Sequence, residues 1–386
     1  MAKVLVAVDG SKHGTDALLW SARQLWREGV SLDVVTVLPP VAMNVYPVAP
    51  VATAAAVAAV THQWEAQKVA DEAHATEILR AAVAEALDAG VTKSCLHAHA
   101  LPAAGGASGV GDSIVEFAKA KGVDVVVIGS RGLGSIQRSL MSFVGLGSVS
   151  DYVIHQLHVP VLVVHGDGTT PAAAEEGGPS RRVVLALDDS VHSQYALAWV
   201  QQHVLRSGDE VHVVVVALPV PYPILDETSA AVAALEAQQW RASAEASVEY
   251  AQALAAKAAV AVAASASAAG HERVSAVSAA LLPEGGASDV GASVCKYAAD
   301  HKADLVCLGS RGMGSFKRSL MGFVGLGSVS DYAVHNAACA VAVIKAESDR
   351  LPAPGAPSGA AEHAAAAAAE VAAGAAAGGG AAAKED

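Results

Sequence analysis

The chain has 386 residues and a formal net charge of −13, with 53 % hydrophobic but only 4 % aromatic residues. That length exceeds one ordinary domain and suits two plus a tail. So acidic a chain repels phosphate backbones and anionic membranes, which argues against generic nucleic-acid or membrane binding and requires any anion site to be local.

The four cysteines (Cys95, Cys295, Cys307, Cys339) form no CxxC pair and no zinc spacing, and are expected to be reduced thiols. A strand is predicted almost from Met1, leaving no room for a leader. The Ala-rich stretches 51–60 and 364–383 are too weakly apolar to make good membrane spans. The expected location is cytoplasmic.

In chain order, an apolar run over 4–8 predicts a first strand, ending at Asp9. Ala17, Leu18, Trp20, Ala22 and Leu25 then recur at helical spacing between Gly14 and Trp26. A second strand over 32–38 halts at Pro39-Pro40, and a long helical pattern follows over 64–89. Residues 94–101 predict a third strand, followed by a Gly-rich loop and a helix from about 112. Val125 to Ile128 reads as a buried fourth strand, running into Gly129-Ser130-Arg131-Gly132. A helix starts near Ser148, where Ser148 to Asp151 has capping-box spacing, and a last strand covers 159–164.

The second half repeats this order. Residues 129–152 and 309–332 differ at only four positions, at a constant offset of 180. VLVAVDGS at 4–11 pairs with VVLALDDS at 183–190, at an offset of 179. A long helical pattern recurs over 230–258, and Ser328 to Asp331 repeats the capping box. A period this long marks a duplicated domain rather than a solenoid. The expected organisation is a first domain over 1–165, a linker over 166–180, a second domain over 181–346 and a disordered Ala/Gly-rich tail over 347–386.

Alternating strands and helices predict an α/β fold, each copy a doubly wound parallel sheet. Ligands of such sheets bind beyond the strand carboxyl ends, at the switch in strand order. Asp9, the Pro39 loop and the Gly129 loop all fall there. A Gly-rich turn before a helix suits phosphate, and Arg131 with Arg138, or Arg311 with Arg318, would add positive charge. The alternative is that these glycines only make a tight turn. No P-loop, no GxGxxG and no GxSxG elbow with a plausible base is present, so no catalytic residue is assigned.

The strand-end Asp9 and Asp188, the two GSRG loops, GSVSDYVIHQLHVPVLVV at 147–164 and GSVSDYAVHNAACAVAVI at 327–344 together resemble the universal stress protein family. The resemblance implies Rossmann-like domains of the adenine nucleotide alpha hydrolase-like type that bind ATP or AMP, with Mg²⁺ as an optional companion. The family's phosphate pattern is G-x2-G-x9-G-[ST]. Carried over, the first copy supplies Ala7, Asp9, Val37, Ile128, Gly129, Arg131, Gly132, Gly147, Ser148 and Val149. The second supplies Ala186, Asp188, Ala217, Leu308, Gly309, Arg311, Gly312, Gly327, Ser328 and Val329, with Ala217 taken as the counterpart of Val37. The Gly-Ser pair arrives five residues late in both copies, after insertions at Ser142–Leu146 and Gly322–Leu326. Family domains dimerise through the last strand. Val159–Val164 and Cys339–Ile344 are therefore expected to pair within one chain as a pseudo-dimer.

Fifteen histidines raise the question of a metal. His97 and His99 point the same way from one strand, and His155 stands one turn from His158. The second copy keeps His335 but has Ala338 in place of His158, so surface or capping histidines are expected and no metal site. The Asp188-Asp189 pair has Gly10 in place of the second Asp in copy one, and reads as exposed loop carboxylates. The leading expectation is a nucleotide-binding stress-response regulator. The alternatives are a scaffold of the same fold acting through protein partners, or a slow ATPase.

Overall fold

The computed structural model describes residues 2–39, 54–103, 109–130, 148–165, 181–217, 230–283, 289–311 and 328–346. The first half runs β1 (Lys3–Ala7), α1 (Lys12–Gln24), β2 (Ser31–Val37), α2 (Ala54–Asp88), β3 (Leu96–Leu101), α3 (Gly109–Lys121), β4 (Val125–Gly129), α4 (Ser148–Gln156) and β5 (Val161–Val164). The second half repeats it as β6 (Arg181–Leu187), α5 (Val191–Trp199), β7 (Asp209–Val216), α6 (Ala230–Ala268), β8 (Ser275–Leu281), α7 (Val290–Asp300), β9 (Leu305–Gly309), α8 (Ser328–Asn336) and β10 (Ala340–Ile344). The linker 166–180 and the tail 347–386 lie outside the described residues.

The strands form one ten-stranded sheet in the order β3-β2-β1-β4-β5-β10-β9-β6-β7-β8. Within each half every pairing is parallel. The halves meet where β10 runs antiparallel to β5, with Val341 opposite Val163, Ala342 opposite Leu162 and Val343 opposite Val161. Neither strand is left as an apolar edge in this arrangement.

Strand alternation divides the core into two layers. Val4 and Val6 face the side covered by α1 and α2, with Ala17, Leu18, Ala82 and Ala86. Leu5 and Ala7 face α3 and α4, with Ile114, Val153 and Ile154. Each layer continues without a break into the second half. Arginine side chains also cross between halves: Arg27 Nη2 donates to His203 O at 2.6 Å and Arg206 Nη1 to Arg23 O at 2.6 Å.

Several element bounds differ from expectation. Helix α2 starts at Ala54 rather than 64, and α6 runs to Ala268 rather than 258. Both extensions are Ala-rich, and alanine is the best helix former. Residues Lys93–Cys95 form a 3₁₀ turn, so β3 starts at Leu96. The last strands start at Val161 and Ala340, not 159 and 339. In the first half the reason is Pro160, which lacks an N–H, although its carbonyl still accepts from Val126 N at 3.0 Å. By length and composition alone, α6 is apolar enough over 234–268 to cross a membrane. Its stripe of Ala251, Ala255, Ala258, Ala259, Val262 and Ala266 is buried in the core.

Candidate functional site

Strand order reverses between β1 and β4, and again between β6 and β9. The residues flanking each reversal are the Asp turn after the first strand and the GSRG turn after the fourth.

Both aspartates are held in the turn that starts the next helix. Asp9 Oδ1 accepts from Ser11 N at 3.0 Å and Ser11 Oγ at 2.5 Å, and Ser11, the N-cap of α1, accepts from Gly14 N at 3.2 Å. Asp188 Oδ1 accepts from Ser190 N at 3.1 Å and Ser193 Oγ at 2.6 Å, and Ser190 caps α5 through Ser193 N at 3.2 Å. The copies differ at the fifth residue after the Asp. A Cβ on Gly14 would lie 2.9 Å from Asp9 Oδ1, whereas Ser193 there bonds the carboxylate. They differ too at the next residue. Gly10 holds a left-handed φ of +74°, while Asp189 accepts from Tyr250 Oη at 2.7 Å. The Asp188-Asp189 pair is thus engaged in two separate contacts.

The first glycine of each GSRG turn has a packing reason. A Cβ on Gly129 would fall 2.6 Å from His13 O, and one on Gly309 would fall 2.9 Å from the His192 carbonyl carbon. Helices α1 and α5 therefore lie directly on the ends of β4 and β9. Replacing Gly129 or Gly309 with Ala should cost about 1–3 kcal/mol by overpacking against backbone that cannot swing away. Urea unfolding of each variant would measure it, and an unchanged midpoint would refute this role. In the second half the two turns touch, with Ser190 Oγ donating to Arg311 O at 3.5 Å.

The second serine of each GSVSD segment ties its helix to the turn: Ser150 Oγ donates to Gly129 O at 2.7 Å and Ser330 Oγ to Ser310 O at 3.0 Å. These anchors were missed in the sequence, although their exact repetition was a signal. The acidic members of the expected capping boxes face along their own helices. Helix α4 already includes Ser148, and the Asp151 carboxylate turns to His155 Nε2 at 3.4 Å, one turn on. Helix α8 likewise begins at Ser328, and Asp331 faces His335.

Of the residues expected at the site, Ala7, Asp9, Val37, Ile128 and Gly129 end or follow β1, β2 and β4, and Ser148 and Val149 open α4. Ala186, Asp188, Leu308, Gly309 and Arg311 lie likewise at the ends of β6 and β9, and Ser328 and Val329 open α8. One pairing needs correction. Val37 lies opposite Leu101 and Val216 opposite Leu281, so the counterpart of Val37 is Val216. Ala217 matches Leu38 instead: both amides donate to the last carbonyl of the third strand at 2.8 Å. The offset is still 179 here and reaches 180 only by β8. Arg131, Gly132, Arg138, Gly147, Gly312, Arg318 and Gly327, with both five-residue insertions, lie outside the described residues.

Two half-sheets of order 3-2-1-4-5, each with an acidic turn and a Gly-Ser turn at its switch point, define a tandem doubly wound α/β protein. The family model for the universal stress protein family matches residues 1–165 and again 179–345. The chain belongs to that family. Among curated relatives, a universal stress protein of Mycolicibacterium smegmatis is 28% identical over 205 residues, covering 53% of this chain and 60% of its own length. One from Mycobacterium tuberculosis is 28% identical over 200 residues, covering 50% of this chain and 56% of its own. The match thus spans somewhat over half the length of these relatives. A solved universal stress protein from Archaeoglobus fulgidus covers 89% of this chain and 96% of its own at 17% identity and a TM-score of 0.45. An Arabidopsis thaliana member solved with AMP bound covers 45% of this chain and 97% of its own at 16% identity and a TM-score of 0.27.

Proposed function

We propose that each half binds one adenine nucleotide, ATP or AMP, at its switch point, and that the protein acts as a nucleotide-responsive member of the stress response. The observation that supports this is an acidic turn and a Gly-Ser turn flanking both reversals of strand order, in contact in the second half. In doubly wound sheets that crevice is the usual ligand position. The N–H groups at the start of α4 and α8 suit phosphate oxygens. Asp9 and Asp188 suit ribose hydroxyls, since a carboxylate accepts from an O–H. The Arabidopsis family member was itself solved with AMP bound.

The free thiols fit a reducing, cytoplasmic compartment, which is part of the proposal. None of the four is in a disulfide. Burial pushes Cys295 up to about 11 and Cys339 up to about 12, and raises Cys307 as well, so these thiols resist oxidation.

Calorimetric titration of the full chain with ATP and with AMP tests the reading, with two sites per chain expected. Asp9→Asn and Asp188→Asn keep an acceptor for the Ser11 and Ser190 turns but remove the charge. Charge-assisted hydrogen bonds are worth about 1.5–3 kcal/mol, so each variant should weaken its own site about tenfold or more. Binding indifferent to both variants would leave these residues as turn formers only. No binding of either nucleotide would favour the scaffold reading.

A further inference from the structure

We propose that the seam between α4 and α8 holds a divalent transition-metal ion, zinc by the chemistry of its donors, on Asp151, His155 and Asp331, with His335 beside them. The observation behind it is a juxtaposition that neither half contains alone. Asp151 and His155 stand one helical turn apart on one face of α4, and Asp331 and His335 repeat that spacing on α8. Antiparallel pairing of β5 with β10 brings the two helices together about an approximate two-fold axis. One donor atom each from Asp151, His155 and Asp331 then lies within 4.8 Å of the others.

Both histidines are oriented by contacts within their own helices. His335 Nδ1 lies 2.7 Å from Asp331 O, and a carbonyl can only accept, so Nδ1 carries the proton and Nε2 keeps its lone pair. Metal-binding histidines are commonly oriented in this way, by donating the other ring nitrogen to a carbonyl. His155 Nε2 lies 3.4 Å from Asp151 Oδ1. The site is half-open, with both imidazoles 30% exposed and the carboxylates 47% and 49% exposed, so an ion has a path in.

Two carboxylates facing each other repel, and a dication between them would reverse the sign of that interaction. The mixed imidazole and carboxylate donors select zinc, cobalt or nickel over calcium and magnesium, which take oxygen shells of six or more ligands. Bonds of about 2.0–2.2 Å place tetrahedral donors roughly 3.4 Å apart, so the side chains would close by about 1 Å on binding. The ion would clamp the two halves at a point far from the sheet's switch points. The expectation of no metal site looked for donors inside one copy, comparing His155 with His158, whereas these donors come from both.

The test uses the full chain stripped with chelator and titrated with Zn²⁺ by calorimetry and with Co²⁺ by visible absorption. One ion per chain is expected, with cobalt bands of a low-coordinate nitrogen and oxygen site and a thermal midpoint raised by zinc and restored by chelator. Asp151→Asn with Asp331→Asn should weaken zinc binding at least about tenfold, as should His155→Gln. His97→Ala, an exposed histidine elsewhere, should leave it unchanged. Should the double variant lose its fold by circular dichroism, Asp331→Asn alone carries the comparison, since that residue is exposed. No zinc uptake at micromolar concentration overturns the proposal. So does uptake that the Asp331→Asn and His155→Gln variants leave untouched, because the ion would then sit on other histidines.

Discussion

Arg181→Ala should destabilise the protein by about 3–5 kcal/mol, because it leaves a buried carboxylate without its cation. Arg181 and Asp209 are 3% and 1% exposed. The pair is bidentate, with Nε to Oδ1 at 3.1 Å and Nη2 to Oδ2 at 2.6 Å. Two further donors are used: Nη2 reaches Val204 O at 2.6 Å, and Nη1 reaches Gln24 Oε1 on α1 of the first half at 3.2 Å. A planar fork with every nitrogen hydrogen-bonded is what makes a buried ion pair tolerable. At the 179 offset the first half has Ala2 and Val30 in these places. The double variant Arg181→Ala with Asp209→Val installs that pair and should recover most of the loss, short of the cavity it leaves. Urea unfolding of the three proteins decides the matter. If the double variant is no more stable than the single, the cost lies in lost packing or in the Gln24 contact rather than in the stranded charge.

Val161→Lys with Val163→Lys should be more damaging still. Both valines are fully buried and face Val343 and Val341 across the central pairing, in the layer that holds α4 and α8. Each ammonium buried there without a partner costs several kcal/mol. The expected result is loss of the cooperative unfolding transition of the whole chain, or a shift of its midpoint to much lower urea. We further propose that the two halves satisfy each other, so that the unaltered chain scatters light as a monomer. A chain cut after Gly168 should then form a homodimer through the freed Val161–Val164 edge, and the two lysines should abolish it. If that half is monomeric at high concentration before any substitution, the last strand is not what drives pairing.

Much of this architecture could be read directly from residues. Short apolar runs ending in Asp9, Pro39 and Gly129 gave the strands, and the duplication checked each of them twice. Helix ends were less legible where the chain is mostly alanine, as at 54–64 and 258–268. Alanine favours helix without marking where it stops. The Val37 correspondence slipped by one because the single-residue change in offset lies between β7 and β8, where the two copies have little in common. Comparing copies also conceals what only one of them has, and so gave no hint of Arg181 and Asp209. The Asp151, His155 and Asp331 cluster was out of reach for a different reason. It depends on which way β10 runs beside β5, and no local pattern encodes that.

The antiparallel step at the centre of the sheet has a consequence for the two proposed nucleotide sites. Because the halves are parallel within and opposed between, the β1–β4 and β6–β9 crevices open toward opposite edges of the sheet. Four strand spacings separate them, roughly 19 Å at about 4.8 Å each, before the offset along the strands is added. No single nucleotide can bridge that gap, and a partner docked on one edge sees only one crevice. If the two occupancies influence one another, the message must travel laterally through β4, β5, β10 and β9. Under the proposed reading, two bound nucleotides would then act independently unless the seam couples them.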